Sequence, residues 1–222
     1  NLPNNLTEIP AGLFRGATAL TSITIPDSVI SIGYEAFKDS GLTSLVIPDS
    51  VEVIADRAFY GAPIASLTLG SSLASWGNTT SDRDPFYGIC EALNSLSVNM
   101  TSIPDNSFDG CTKLTSLVLS DNVNEIGLAA FENAQSLEEL VIPSSVTRLG
   151  SSSFSGASSL KEIIIPDSVS TLGNASFNGA SSLESVVLGS SITSLGSYVF
   201  RGTSLLTSIT IPDSVISIGY EA

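Results

Sequence analysis

Apolar and polar positions along the chain recur on one long period, with a residue class reserved for each phase. All nine phenylalanines, Phe14, Phe37, Phe59, Phe86, Phe108, Phe131, Phe154, Phe177 and Phe200, form one series with steps of 23, 22, 27, 22, 23, 23, 23 and 23 residues. Between them a template repeats, seen in Leu160 to Ser182 as LKEIIIPDSVSTLGNASFNGASS. It opens L-x-x-[LIV]-x-[LIV], as at Leu20, Ile23, Ile25 and at Leu137, Leu140, Ile142. The alternating second half of that pattern predicts a short strand with one buried face. Pro-Asp-Ser or Pro-Ser-Ser follows at Pro26, Pro48, Pro143, Pro166 and Pro212. There the proline removes a ladder donor and Asp or Ser bonds nearby backbone, so the predicted strand stops.

A second apolar pair, such as Val29 and Ile32 or Val169 and Leu172, is usually followed by Gly and then by an [AS]-F segment. That segment predicts one or two helical turns. Two residues after each Phe stand Gly16, Asp39, Gly61, Gly88, Gly110, Asn133, Gly156, Gly179 and Gly202. Gly, Asn and Asp are the types that most readily enter the left-handed conformation closing a helix. A period in the low twenties marks a solenoid, because one coil cannot bury its apolar face alone and must stack on its neighbours. The expected fold is an α/β repeat protein of 22–23-residue coils, with a parallel sheet on one face, short helical turns on the other, and a single domain over residues 1–222.

The unit IPDSVISIGYEAF (Ile25 to Phe37), looser as IPSSVTRLGSSSF (Ile142 to Phe154), resembles the BspA-like, Treponema-type leucine-rich repeats over essentially the whole chain. The resemblance implies a right-handed leucine-rich-repeat solenoid. It also implies a secreted or surface-anchored protein of a host-associated bacterium or protozoan parasite, several relatives being similar to adhesins for host matrix proteins or other microbes. The motif residues are scaffold, so no binding residue carries over with them.

Charge narrows the partners. The net charge is −14, and the eight basic residues, Arg15, Lys38, Arg57, Arg83, Lys113, Arg148, Lys161 and Arg201, are spread about one per coil. Nucleic acid and anionic membrane need clustered cations, so neither is expected as a partner. No apolar run reaches the roughly 18 residues that span a bilayer, and no signal segment opens the chain. Asn1 to Ala19 reads as a coil without its opening strand, the rhythm calls for a Phe after Ala222, and Leu206 to Ala222 repeats Leu20 to Ala36 residue for residue. These ends suggest a piece of a longer array.

Catalytic chemistry finds no support. The chain has no histidine, which removes His-based triads, bases and metal ligands. Its two cysteines lack a CxxC, and no phosphate-loop or nucleophile-elbow motif occurs. No enzyme activity and no cofactor is expected. Asp27, Asp49, Asp121, Asp167 and Asp213 share a phase and allow a calcium ladder, but Ser71, Ser144 and Ser190 interrupt it, and Asp after Pro is ordinary turn chemistry.

Cys90 and Cys111 each lie three residues before a strand leucine, Leu93 and Leu114, at a small position held elsewhere by Ala134, Ala157 and Ala180. Stacked coils lie about 4.8 Å apart, which permits a disulfide; two buried free thiols are the alternative. Five extra residues fall between Trp76 and Phe86, and insertions in repeat proteins emerge as loops on one face. Asp82, Arg83 and Asp84 of this loop are binding candidates, while Trp76 sits at a core phase. Tyr60 and Tyr87 are either an exposed aromatic pair or covers for the Phe stack.

The outward strand positions are mostly Ser, Thr and Val, as in Ser44/Val46 and Ser116/Val118. Only the later coils carry charge, at Glu138, Glu139, Lys161, Glu162 and Glu184, as a stripe for a basic partner or as solubilising residues. The expected function is a non-catalytic, monomeric, extracellular or cell-surface protein that binds a host or microbial protein or a glycan. A passive spacer presenting another domain is the alternative.

Overall fold

A computed structural model describes residues 2–74, 84–86 and 88–222. Two compact units divide the chain, Asn1–Met100 and Thr101–Ala222. The first contains β1 (Glu8–Ile9), β2 (Ser31–Ile32), β3 (Ser44–Val46), β4 (Val53–Ile54), β5 (Ser66–Leu69) and β6 (Ser95–Val98). The second contains β7 (Ser102–Ile103), β8 (Ser116–Leu119), β9 (Glu125–Ile126), β10 (Arg148–Leu149), β11 (Glu162–Ile164), β12 (Thr171–Leu172), β13 (Ser185–Val187), β14 (Ser194–Leu195) and β15 (Ser217–Ile218).

Each unit is built of parallel β-solenoid coils, and each has two ladders rather than the one that was expected. In the first unit the opening strands β3, β5 and β6 pair in register, Leu45 with Leu67 and Leu67 with Leu96. The pair of apolar residues after the turn forms its own ladder, with Ile9 opposite Ile32 and Ile32 opposite Ile54. In the second unit that ladder runs through Ile103, Ile126, Leu149, Leu172, Leu195 and Ile218. Alternation does the sorting: Leu42, Leu45 and Ile47 are buried while Thr43, Ser44 and Val46 face outward.

The Pro-Asp-Ser turn locks each coil to its neighbour. The Ser28 hydroxyl donates to the Leu6 carbonyl at 2.7 Å and Ser145 to Val123 at 2.6 Å. Asp49 Oδ1 accepts the Ser71 backbone N–H at 2.7 Å and the Asn99 amide at 3.3 Å, and Asp167 accepts the Ser190 N–H at 2.6 Å. These amide donors hold the Asp49 and Asp167 carboxyls below the usual carboxylate range. Asp49 and Asp167 thus serve as turn residues that bond the next coil.

The expected helical turns beside phenylalanine are absent from the described residues; the one helical segment there is a 3-10 turn at Ile89–Glu91. The segment instead turns twice. Left-handed residues occur two after each Phe, as foreseen, at Asp39 (φ 53°) and Gly156 (φ 76°), but also two before it, at Glu35 (φ 52°), Ser152 (φ 55°) and Tyr198 (φ 61°). A left-handed residue every fourth position aims alternate amides outward. Phe37 N–H donates to Ala58 of the next coil at 2.7 Å and Phe154 N–H to Ser176 at 2.9 Å, while Lys38 N–H returns to Glu35 within its own turn.

Spacing explains why this ladder prevails. Ring centroids in the stack Phe14–Phe37–Phe59–Phe86 lie 5.1 to 5.3 Å apart, and those in Phe108–Phe131–Phe154–Phe177–Phe200 lie 5.3 to 6.0 Å apart. A helix is about 10 Å across with its side chains and would force the coils apart on this side. Close approach is visible at Gly150, where an added Cβ would stand 2.5 Å from the Gly127 backbone.

Ala175, at φ 57°, separates the two geometries. In a helix, Ala175→Gly would cost about 1 kcal/mol. A left-handed Ala is itself strained by about 1–2 kcal/mol, so the substitution is expected to leave the denaturant midpoint unchanged or to raise it.

Candidate functional site

On the outer face of the later coils, exposed apolar and charged side chains lie side by side. Leu160, Ile163 and Ile165 turn inward, which obliges Lys161, Glu162 and Ile164 to turn outward. Ile164 pairs in register with Val187 and Glu162 with Ser185. One coil earlier, Glu138 is joined to Lys161 through the Lys161 N–H, and Lys161 is joined to Glu184 in the same way. Val141 is 78% exposed, Ile164 61% and Val187 53%.

The five charged candidates on this face, Glu138, Glu139, Lys161, Glu162 and Glu184, are all exposed. Lys161 Nζ lies 2.6 Å from Glu138 Oε2. That hydrogen bond and the charge of Glu138, followed by Glu139 and Glu184, raise the proton affinity of the lysine, and the same bond holds the Glu138 carboxyl low. Exposed ion pairs contribute little to stability, so the group is available for a ligand at small cost to the fold.

The loop candidates fare differently. Trp76, Asp82, Arg83 and Tyr87 lie outside the described residues. Asp84, expected in a surface loop, is buried and accepts the Phe86 backbone N–H at 2.7 Å. Burial pushes its carboxyl up to about 6, against the lowering effect of that amide. It closes the turn into Phe86 and has no outward face to offer. Tyr60 is half-buried, with Lys38 Nζ 5.1 Å and the Arg57 guanidinium 5.9 Å from its ring centroid. Neither cysteine is free; Cys90 and Cys111 are both disulfide-bonded.

One cluster has no counterpart among the expectations. Glu35, buried, is reached by Arg15 at 2.8 Å, Lys38 at 3.0 Å and Arg57 at 3.8 Å. The Lys38 hydrogen bond above all, opposed by burial and helped by Tyr34 and Arg15, holds its carboxyl below the usual range. A signal was present: Arg15 and Lys38 both follow a Phe directly, so cations one coil apart had to line up. The cluster ties three coils together with its acid fully paired, which makes it structural.

Comparisons with known proteins agree with this geometry. The family model of the BspA type leucine-rich repeat region matches residues 1–99 and 101–222, in six copies. A solved leucine-rich repeat protein of T. pallidum is 28% identical with a TM-score of 0.61, over 80% of this chain and 73% of that one. A leucine-rich cell surface protein of Faecalibacterium prausnitzii A2-165 is 26% identical with a TM-score of 0.52, over 100% of this chain and 59% of that one. A leucine-rich repeat protein of Bacteroides ovatus, at 21% identity and a TM-score of 0.54, shares the fold, and the chain spans 52% of its length. No curated protein sequence matches. With ladders, turns and Phe stacks in place and the family pattern running through both units, the chain belongs to the BspA-type leucine-rich-repeat family.

Proposed function

We propose that the chain is a non-catalytic binding segment of a cell-surface or secreted protein, contacting a protein or glycan through the outer strand face of residues 138–187. The observation that carries this is the exposure of Val141, Ile164 and Val187 in three successive coils, where a purely solvating surface would place polar side chains. The surface location named for the Faecalibacterium relative supports an extracellular setting. So does cysteine oxidation, since disulfides persist outside the reducing cytosol.

Binding to a panel of purified matrix proteins and glycans tests the reading. With Glu139→Lys and Glu162→Lys together, affinity for a basic ligand is expected to fall by about tenfold or more. Unchanged affinity would place the site elsewhere, and a panel without any ligand would favour the spacer role. For the cysteines, Cys90 and Cys111 are the chain's only pair, and denatured protein is expected to show no titratable thiol before reduction. Two free thiols would remove both the bridge and its support for an extracellular setting.

A further inference from the structure

The outer face of the later coils has a spacing as well as a chemistry. Val118, Val141, Ile164 and Val187 hold one repeat position in four coils of the second unit, all exposed; Ile164 and Val187 pair in direct register, Val118 lies in β8, and Val141 lies in a segment without strand pairing. Two residues earlier, Glu139 and Glu162 form a parallel row. Coils stacked at the parallel-strand spacing of about 4.8 Å, the spacing of the β11–β13 pair, repeat an aliphatic group at that interval, about 14 Å from first to last.

An extended segment laid along this row presents same-face side chains every 6.6 Å or so and slips by about 5 Å over the three steps between the four coils. An α-helix returns one ridge residue per 5.4 Å turn and slips by only about 2 Å, so about ten helical residues cover the row. Charge sets the other half of the match. Glu138, Glu139, Glu162 and Glu184 outnumber Lys161, and a second copy of the chain placed two-fold on this face would set acid against acid.

Resting on the reading of the chain as a binding protein, we propose that this face docks a basic amphipathic helix of a partner protein. The aliphatic ridge of that helix lies on Val118, Val141, Ile164 and Val187, with Lys or Arg beside Glu139 and Glu162. The anchors of such a helix recur at i, i+3, i+4 and i+7, as in other helix-mediated recognition.

Three synthetic peptides of about 14 residues test it: Leu and Lys arranged with helical period, the same residues strictly alternating, and the helical arrangement with Glu for Lys. The helical Leu/Lys peptide is expected to bind the intact chain about tenfold or more tighter than the alternating one, with the Glu peptide not binding. Val141→Asn with Ile164→Asn leaves every charge in place and is expected to weaken the helical peptide by about tenfold with unchanged thermal unfolding. Equal or tighter binding of the alternating peptide overturns the helix assignment. Binding unaffected by the Asn pair shows mere attraction to an acidic protein and overturns the site. If panel proteins bind while the peptides show no preference, only the helix assignment fails; if neither binds, the binding reading itself fails.

Discussion

Phe154→Ala is expected to destabilise the chain by about 3–5 kcal/mol, as for a buried aromatic whose neighbours cannot collapse into the space. Phe154 is fully buried between Phe131, at 5.3 Å, and Phe177, at 5.8 Å, and its own N–H is bonded to Ser176 of the next coil. The flanking rings are held by their own coil-to-coil bonds, Phe131 N–H to Ser153 and Phe177 N–H to Val199, so they cannot slide inward without breaking a ladder. Among the described residues Phe200 has one stacked ring neighbour, Phe177 at 6.0 Å, and some exposure, so Phe200→Ala is expected to cost clearly less. Urea titration of both variants measures the gradient. Equal losses at the two positions would mean that the stack does not act through its neighbours.

The second large effect comes from an acid whose burial opposes folding. The Asp84 carboxyl is raised from 3.8 to about 6 by burial. A native group that binds its proton more tightly than the unfolded chain gains stability as pH falls. Here the gain begins near pH 6, is complete below about pH 4, and is missing at pH 7. The difference corresponds to about 3 kcal/mol at 1.36 kcal/mol per unit. Asp84→Asn keeps an oxygen for the Phe86 N–H without the charge. It is expected to stabilise the chain by up to about 3 kcal/mol at pH 7 and by almost nothing at pH 4. Thermal unfolding at the two pH values checks this, and a variant less stable at pH 7 would show that the charge has a partner.

What the sequence reveals depends on whether a position is chosen for its side chain or only for its backbone. Phenylalanine is legible because a stacked ring needs a ring above and below. The Gly, Asp and Asn two residues beyond each Phe are legible because those types signal a left-handed backbone. The left-handed site two residues before Phe is not legible at Glu35, Ala129 and Tyr198, which carry no such signal and are held there by bonds to the adjacent coil. Without that second site the segment reads as a helix. The candidate face was legible for the converse reason: alternation alone puts Glu139, Glu162 and Ile164 outside. The burial of Asp84 is not legible, because an insertion reads as an exposed loop, whereas its carboxyl turns back onto the Phe86 amide.

On the proposed reading, inward positions make the fold and outward positions of the later coils make the contact. The direct test replaces Glu139, Val141, Glu162, Ile164 and Val187 together by Ser or Thr, residues already found at outward strand positions such as Ser44 and Thr68. Thermal unfolding and binding to the protein and glycan panel are then measured side by side with the unaltered chain. An unfolding transition within a few degrees of the original and binding lost by about tenfold or more are expected. Retained binding, or a chain that no longer folds, would contradict that reading.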